Sequence, residues 1–125
     1  MLTAFQNTAV RALAEQYGLS LLVIFGSVAR GDARPSSDAD VAYLSENRLA
    51  LMDESRLSIE LSAITKKDID LVNLKNASPL LAYHVFKDGI PVYEISSGLF
   101  NEYFVKSIRM YEEALPLFNA KMSLL

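Results

Sequence analysis

The chain has 125 residues, 51% hydrophobic and 22% charged, with a net charge of −3. That fits one domain closing its own modest core and excludes a disordered chain, while the acidic balance argues against a generic nucleic-acid binder with a basic footprint. Having no cysteine, it can form no disulfide, thiolate zinc site or cysteine nucleophile, and its single histidine, His84, argues against a multi-histidine metal site or a Ser-His-Asp triad.

In chain order, Leu2, Phe5, Ala9, Leu13 and Tyr17 recur at helical spacing, with Gly18 where a C-terminal cap belongs. Leu19 to Phe25 is an apolar run ending at Gly26, and reads as a buried strand. Ser27 to Gly31 suits a short helical turn, and Asp32 to Ser37 a loop. A second strand is predicted over Asp38 to Leu44, a helix over Leu49 to Ile64 and a third strand over Asp68 to Leu74. Ser78 can cap a helix that starts at Pro79 and runs to about Lys87. Ile90 to Ile95 suits an edge strand, because Pro91 cannot donate to a sheet ladder. From Leu99 onward the spacing is helical, and Pro116 predicts a kink or a helix end near Leu115. Strands alternating with helices predict an α/β sheet, with a crossover joining the second and third strands. The expected organisation is one domain over 1–125, with a core over about 19–95 and a helical tail over about 98–123.

Phe100, Phe104, Ile108 and Tyr111 are expected to pack on the sheet, while Leu99, Tyr103, Met110 and Leu117 form a second apolar stripe for further burial or a partner. His84 is expected to be partly buried, and Lys66-Lys67 to be a solvated strand start. The first residues lack the pattern of a signal peptide, and no apolar run is long enough to span a bilayer. The expectation is a cytoplasmic protein with no membrane partner.

The chemically informative segment is Gly26-Ser27, ten intervening residues, then Asp38-Ala39-Asp40. Residues i and i+2 of a strand share a face, about 6.6 Å apart along the chain. Two carboxylates so placed can converge on a hard divalent cation such as Mg²⁺, whose shell is usually completed by water and substrate phosphates. A Gly-Ser turn at a strand end lets backbone N–H groups and a hydroxyl approach an anion. Gly31 permits a tight exit turn, and Arg30 can reach a phosphate or hold the loop through Asp32. A third carboxylate is offered by Asp68 or Asp70, which periodicity does not separate; Asp70, leading into Leu71-Val72, is the better anchored. No P-loop or G-x-G-x-x-G occurs.

This pattern, in the form GSxARG followed by SDxD, resembles the signature of the nucleotidyltransferase superfamily that includes DNA polymerase beta and the aminoglycoside nucleotidyltransferases. The short chain is similar to the minimal (MNT/MntA-type) nucleotidyltransferases, with clear motifs over roughly Leu19 to Leu74. The resemblance implies a nucleotidyltransferase fold, a small mixed sheet flanked by helices with a C-terminal helix. It implies ATP as substrate, held through Gly26, Ser27 and Arg30, and two Mg²⁺ ions on Asp38, Asp40 and Asp70. It further implies an antitoxin that transfers AMP to a tyrosine of a HEPN-type (HepT) toxin ribonuclease, in a hetero-oligomer and without direct contact to nucleic acid. Two other readings remain at this point: an antitoxin acting by binding alone, and an aminoglycoside-type enzyme acting on a small molecule.

Overall fold

The computed structural model describes residues 2–123. A 3-10 turn over Leu2–Phe5 leads into α1 (Thr8–Gln16), β1 (Leu19–Phe25), α2 (Gly26–Arg30), β2 (Ala39–Ser45), α3 (Leu51–Thr65), β3 (Ile69–Asn73), α4 (Pro79–Asp88), β4 (Ile90–Glu94) and α5 (Leu99–Ser123). The strands form one mixed sheet in the order β3-β2-β1-β4. β1 pairs antiparallel with β2 and β4, and β2 pairs parallel with β3. Only the parallel pair needs a long connection, and α3 supplies it. β4 is the edge strand that Pro91 demands.

Alternation along the strands divides the core into two layers. Leu22, Ile24, Val41 and Tyr43 face one way, where they join Val10 and Leu13 of α1 and Leu57 and Leu61 of α3. Leu21, Val23 and Ala42 face the other way and meet Val85 and Phe86 of α4 and Phe100 of α5. β1 is buried along its centre, which is why its sequence is continuously apolar rather than alternating.

Three expectations are corrected. The first helix is broken, because Asn7 is extended and its side chain accepts from the Ala9 N–H at 2.6 Å, starting α1 afresh. The last helix does not end near Leu115; it continues through Pro116 to Ser123. And α5 packs mainly on α4: of the residues expected on the sheet, Phe100 and Phe104 join its core layer, and Tyr111 does not. Phe86 meets the Phe100 ring at 5.3 Å between centroids, and Tyr83 stacks on Tyr111 at 4.2 Å. Ile108 is exposed, and a fourth expectation is corrected at His84, which is exposed rather than partly buried. Ser78 caps α4 as expected, accepting from the Leu81 N–H, and Glu94 accepts from the Phe100 N–H at 2.7 Å to fix the start of α5. No helix among the described residues is long and apolar enough to cross a membrane.

Candidate functional site

The sequence-selected residues gather at one end of the sheet. β1 ends at Phe25, and the chain turns at Gly26 into the short α2, which carries Ser27 and Arg30. Gly31 closes α2 with φ 80°, the left-handed exit anticipated for it. The loop over 32–37 then brings Asp38 to the start of β2, next to Ala39 and Asp40. In the register of the sheet Asp40 lies beside Phe25 of β1 on one side and Asp70 of β3 on the other. Paired residues on neighbouring strands share a face, so Asp40 and Asp70 lie together on the α4/α5 side.

Gly26 explains how the backbone can pass so close. Its φ is +69°, and a Cβ there would collide with the Asp40 carboxylate, lying 3.0 Å from Asp40 Cγ. Glycine is therefore required twice, for the conformation and for the space. The result is a carboxylate tucked directly beneath the Gly-Ser turn.

Electrostatics mark Asp40 as the centre of the group. Burial raises its carboxyl above the ordinary value of 3.8, the Asp70 and Asp38 carboxylates raise it further, and the Arg30 guanidinium lowers it. In the sheet register Asp70, and not Asp68, stands directly across from Asp40. Arg30 also lies 3.4 Å from Asp32, an exposed pair worth little by itself.

Among the described residues, no three acidic or imidazole side chains already converge as ligands of one ion. The donor set nevertheless fits a hard cation. Oxygen ligands come from two adjacent strands, they repel one another without a cation, and the central carboxylate lies against the Gly26 backbone, where a Cβ would collide with it. Asp38, Asp40 and Asp70 are the residues that would hold Mg²⁺.

Lys67, expected to be solvated, is buried instead. It is 9% exposed, and its ammonium donates to the Ser37 carbonyl at 2.7 Å and the Arg34 carbonyl at 3.2 Å. Nothing in the local pattern Thr-Lys-Lys-Asp separates it from Lys66, because its partners lie some thirty positions away. The Ser37 hydroxyl accepts from the Arg34 N–H at 3.0 Å, as loop chemistry predicts. A separate cleft of about 440 Å³ opens at the opposite end of the same sheet face, lined by Leu44, Leu74, Phe86 and Tyr103; it shares no residue with the carboxylate group.

Comparison with known proteins shows what the chain is similar to. A family model described as Polymerase beta, Nucleotidyltransferase matches residues 7–97. The chain is 33% identical over 109 residues to the protein adenylyltransferase MntA of Shewanella oneidensis, covering 86% of this chain and 77% of that protein. It is 31% identical over 108 residues to the protein adenylyltransferase MntA of Aphanizomenon flos-aquae, covering 78% of this chain and 72% of that one. Among solved structures, a toxin–antitoxin complex with AMP-PNP aligns with a TM-score of 0.77 at 26% identity, covering 92% of this chain and 97% of the other. The MNT antitoxin in complex with the tri-AMPylated HEPN toxin of Shewanella oneidensis aligns with a TM-score of 0.73 at 25% identity, covering 98% and 99%.

Proposed function

We propose, from the premise that this chain belongs to the polymerase beta nucleotidyltransferase family, that it is an antitoxin of the MntA kind, transferring AMP from ATP to a tyrosine of a HEPN-type toxin. The observation that carries the reading is the placement of Asp40 directly across from Asp70 and under the Gly26 backbone. The relatives named as protein adenylyltransferases and the AMPylated toxin complex support the substrate and the partner.

In this reading Gly26 and Ser27 hold the triphosphate, and the Arg30 guanidinium offsets part of its charge. The acceptor phenol attacks the α-phosphorus. A bond forms from the tyrosyl oxygen to phosphorus, the α–β phosphoanhydride breaks, and pyrophosphate leaves. The phenol proton passes to Asp70, exposed on β3 and opposite Asp40. Two Mg²⁺ ions held by Asp38, Asp40 and Asp70 would stabilise charge on the attacking and departing oxygens. The reaction belongs in the cytoplasm, where ATP and Mg²⁺ are abundant.

The apolar side chains that α5 leaves bare, Met110, Leu117, Phe118 and Met122, give the toxin a face to cover.

The reading is tested by intact-mass spectrometry of the co-expressed toxin after incubation with ATP and Mg²⁺. The expected result is a gain of one adenylate or a multiple of it. No gain, with the toxin still neutralised, would make this a protein that acts by contact alone. Within the same assay Asp70→Asn is expected to slow transfer by about 10²- to 10⁴-fold, the usual contribution of a positioned proton acceptor. Asp68→Asn is expected to leave the rate within a few-fold. The reverse order would move the third carboxylate to Asp68.

A further inference from the structure

We infer that Lys67 is the positioning residue of this site, the group that sets the Asp38 loop against the strand carrying Asp70. The inference rests on the nucleotidyltransferase reading for its functional meaning and on the geometry below for its structural content.

The loop over 32–37 has no regular structure to fix it. Between Arg34 and Ser37 it closes on itself: the Ser37 N–H donates to the Arg34 carbonyl at 2.9 Å, and the Arg34 N–H donates to the Ser37 hydroxyl. That small turn aims two carbonyls, of Arg34 and Ser37, at one point. The Lys67 ammonium occupies it and donates to both. A compact cation with several donors suits two carbonyls converging from one side.

The next residues are tied from the same strand start. The Ala39 N–H donates to the Asp68 carbonyl at 2.8 Å. Asp38 is thus bracketed: the residue before it is bonded to Lys67 and the residue after it to Asp68. Two consecutive residues just before β3 fix both sides of the first carboxylate, and Asp70, the third, follows two residues after Asp68. The backbone reaches this arrangement through Lys66, which caps α3 in the left-handed conformation with φ 62°, the one non-glycine residue with positive φ among those described. That turn directs the next side chain inward, where Lys67 becomes buried.

Lys67 acts by holding rather than by its field. The cation that acts on Asp40 is Arg30. Removing the Lys67 ammonium therefore frees the loop and leaves two carbonyls without their donor, while the charge balance around Asp40 stays with Arg30.

The test compares Lys67→Met, which keeps the stem and removes the donors, with Lys67→Arg, which restores donors. Amide hydrogen exchange of the nucleotide-free chain is read residue by residue, alongside KM for Mg·ATP and kcat in the toxin-modification assay. For Lys67→Met the expected results are about tenfold or faster exchange confined to 34–39, the loss expected for hydrogen bonds from a charged donor, and a raised KM for Mg·ATP. Lys67→Arg is expected to recover protection and KM together. Unchanged exchange over 34–39 would overturn the inference whatever the activity does. So would faster exchange spread evenly over the sheet, since Lys67 would then serve overall stability. Should the wild-type chain transfer no AMP at all, the functional reading fails, and the exchange pattern alone decides the role of Lys67.

Discussion

Asp40→Asn is expected to abolish AMP transfer while making the free protein more stable. The two effects have one cause. Asp40 is the carboxylate that burial and two like-charged neighbours press hardest, so its ionised form is costly in the folded chain. Its folded pKa lies above its unfolded one. A group of that kind contributes most to stability below its unfolded pKa, and the contribution is lost as the pH rises through the folded value. From the ordinary value of 3.8 upward, the folded protein therefore pays increasingly for keeping Asp40 charged. Asparagine removes that penalty at neutral pH. The variant should melt above the wild type at pH 7, and the gap should close on acidification below the ordinary carboxylate range. Mg²⁺ should raise the melting temperature of the wild type and leave the variant nearly unmoved, because binding to the folded state is what shifts the equilibrium. Activity should fall by about three orders of magnitude or more, since cation-borne stabilisation is worth several kcal/mol and about 1.4 kcal/mol is tenfold in rate. Thermal melts with and without Mg²⁺, beside toxin mass spectra, check both halves. A variant less stable than the wild type at pH 7 would mean that the carboxylate serves the fold and not the site.

Much of this arrangement is legible in the sequence because its signals are local. An apolar run ending in Gly-Ser fixes where β1 stops, and the alternation through Asp38-Ala39-Asp40 with Val41 places both carboxylates on one face of β2. Ser78-Pro79 marks a helix start by capping chemistry alone, and Pro91 announces an edge strand because it lacks a donor. The choice between Asp68 and Asp70 is different. Both share a strand face, and only the pairing of β2 with β3 decides which stands across from Asp40. Lys67 was hidden for the same reason, its partners being carbonyls on a distant loop. Hydrophobic spacing continues across Asn7, although its side chain competes for the backbone and restarts the helix. Pro116 misled in the opposite direction. Its missing donor costs one helical hydrogen bond, yet the helix carries on through it to Ser123. Tyr111 stacked on Tyr83 and Phe100 against Phe86 anchor only the part of α5 that comes before it.

Gly26→Ala is expected to damage both the stability of the chain and its site. Two penalties meet there. At φ +69° an alanine is held in a conformation that L residues avoid, at a cost of about 1–2 kcal/mol. Its methyl would also overlap the Asp40 carboxylate, and forced overpacking typically costs about 1–3 kcal/mol. The chain has two ways to respond, and neither preserves the site. If the backbone holds, the Asp40 side chain must swing away from the Gly-Ser turn and from Asp70. If Asp40 holds, the turn must rise, and the N–H groups and hydroxyl meant for the triphosphate move with it. Cleared space around Gly18 and Gly31, where an added Cβ meets nothing within 4 Å, provides the control. Gly31→Ala carries the conformational penalty without the collision, its φ being +80°. The expected result is a melting temperature lowered by about 10 °C in Gly26→Ala and by roughly half that in Gly31→Ala, at a few degrees per kcal/mol for a chain of this size. AMP transfer should be lost only in the first. Combining Gly26→Ala with Asp40→Ala, which removes the colliding oxygen, should recover a large part of the stability and none of the activity. Additive losses in that double variant would show that the two residues do not share the space the structure gives them.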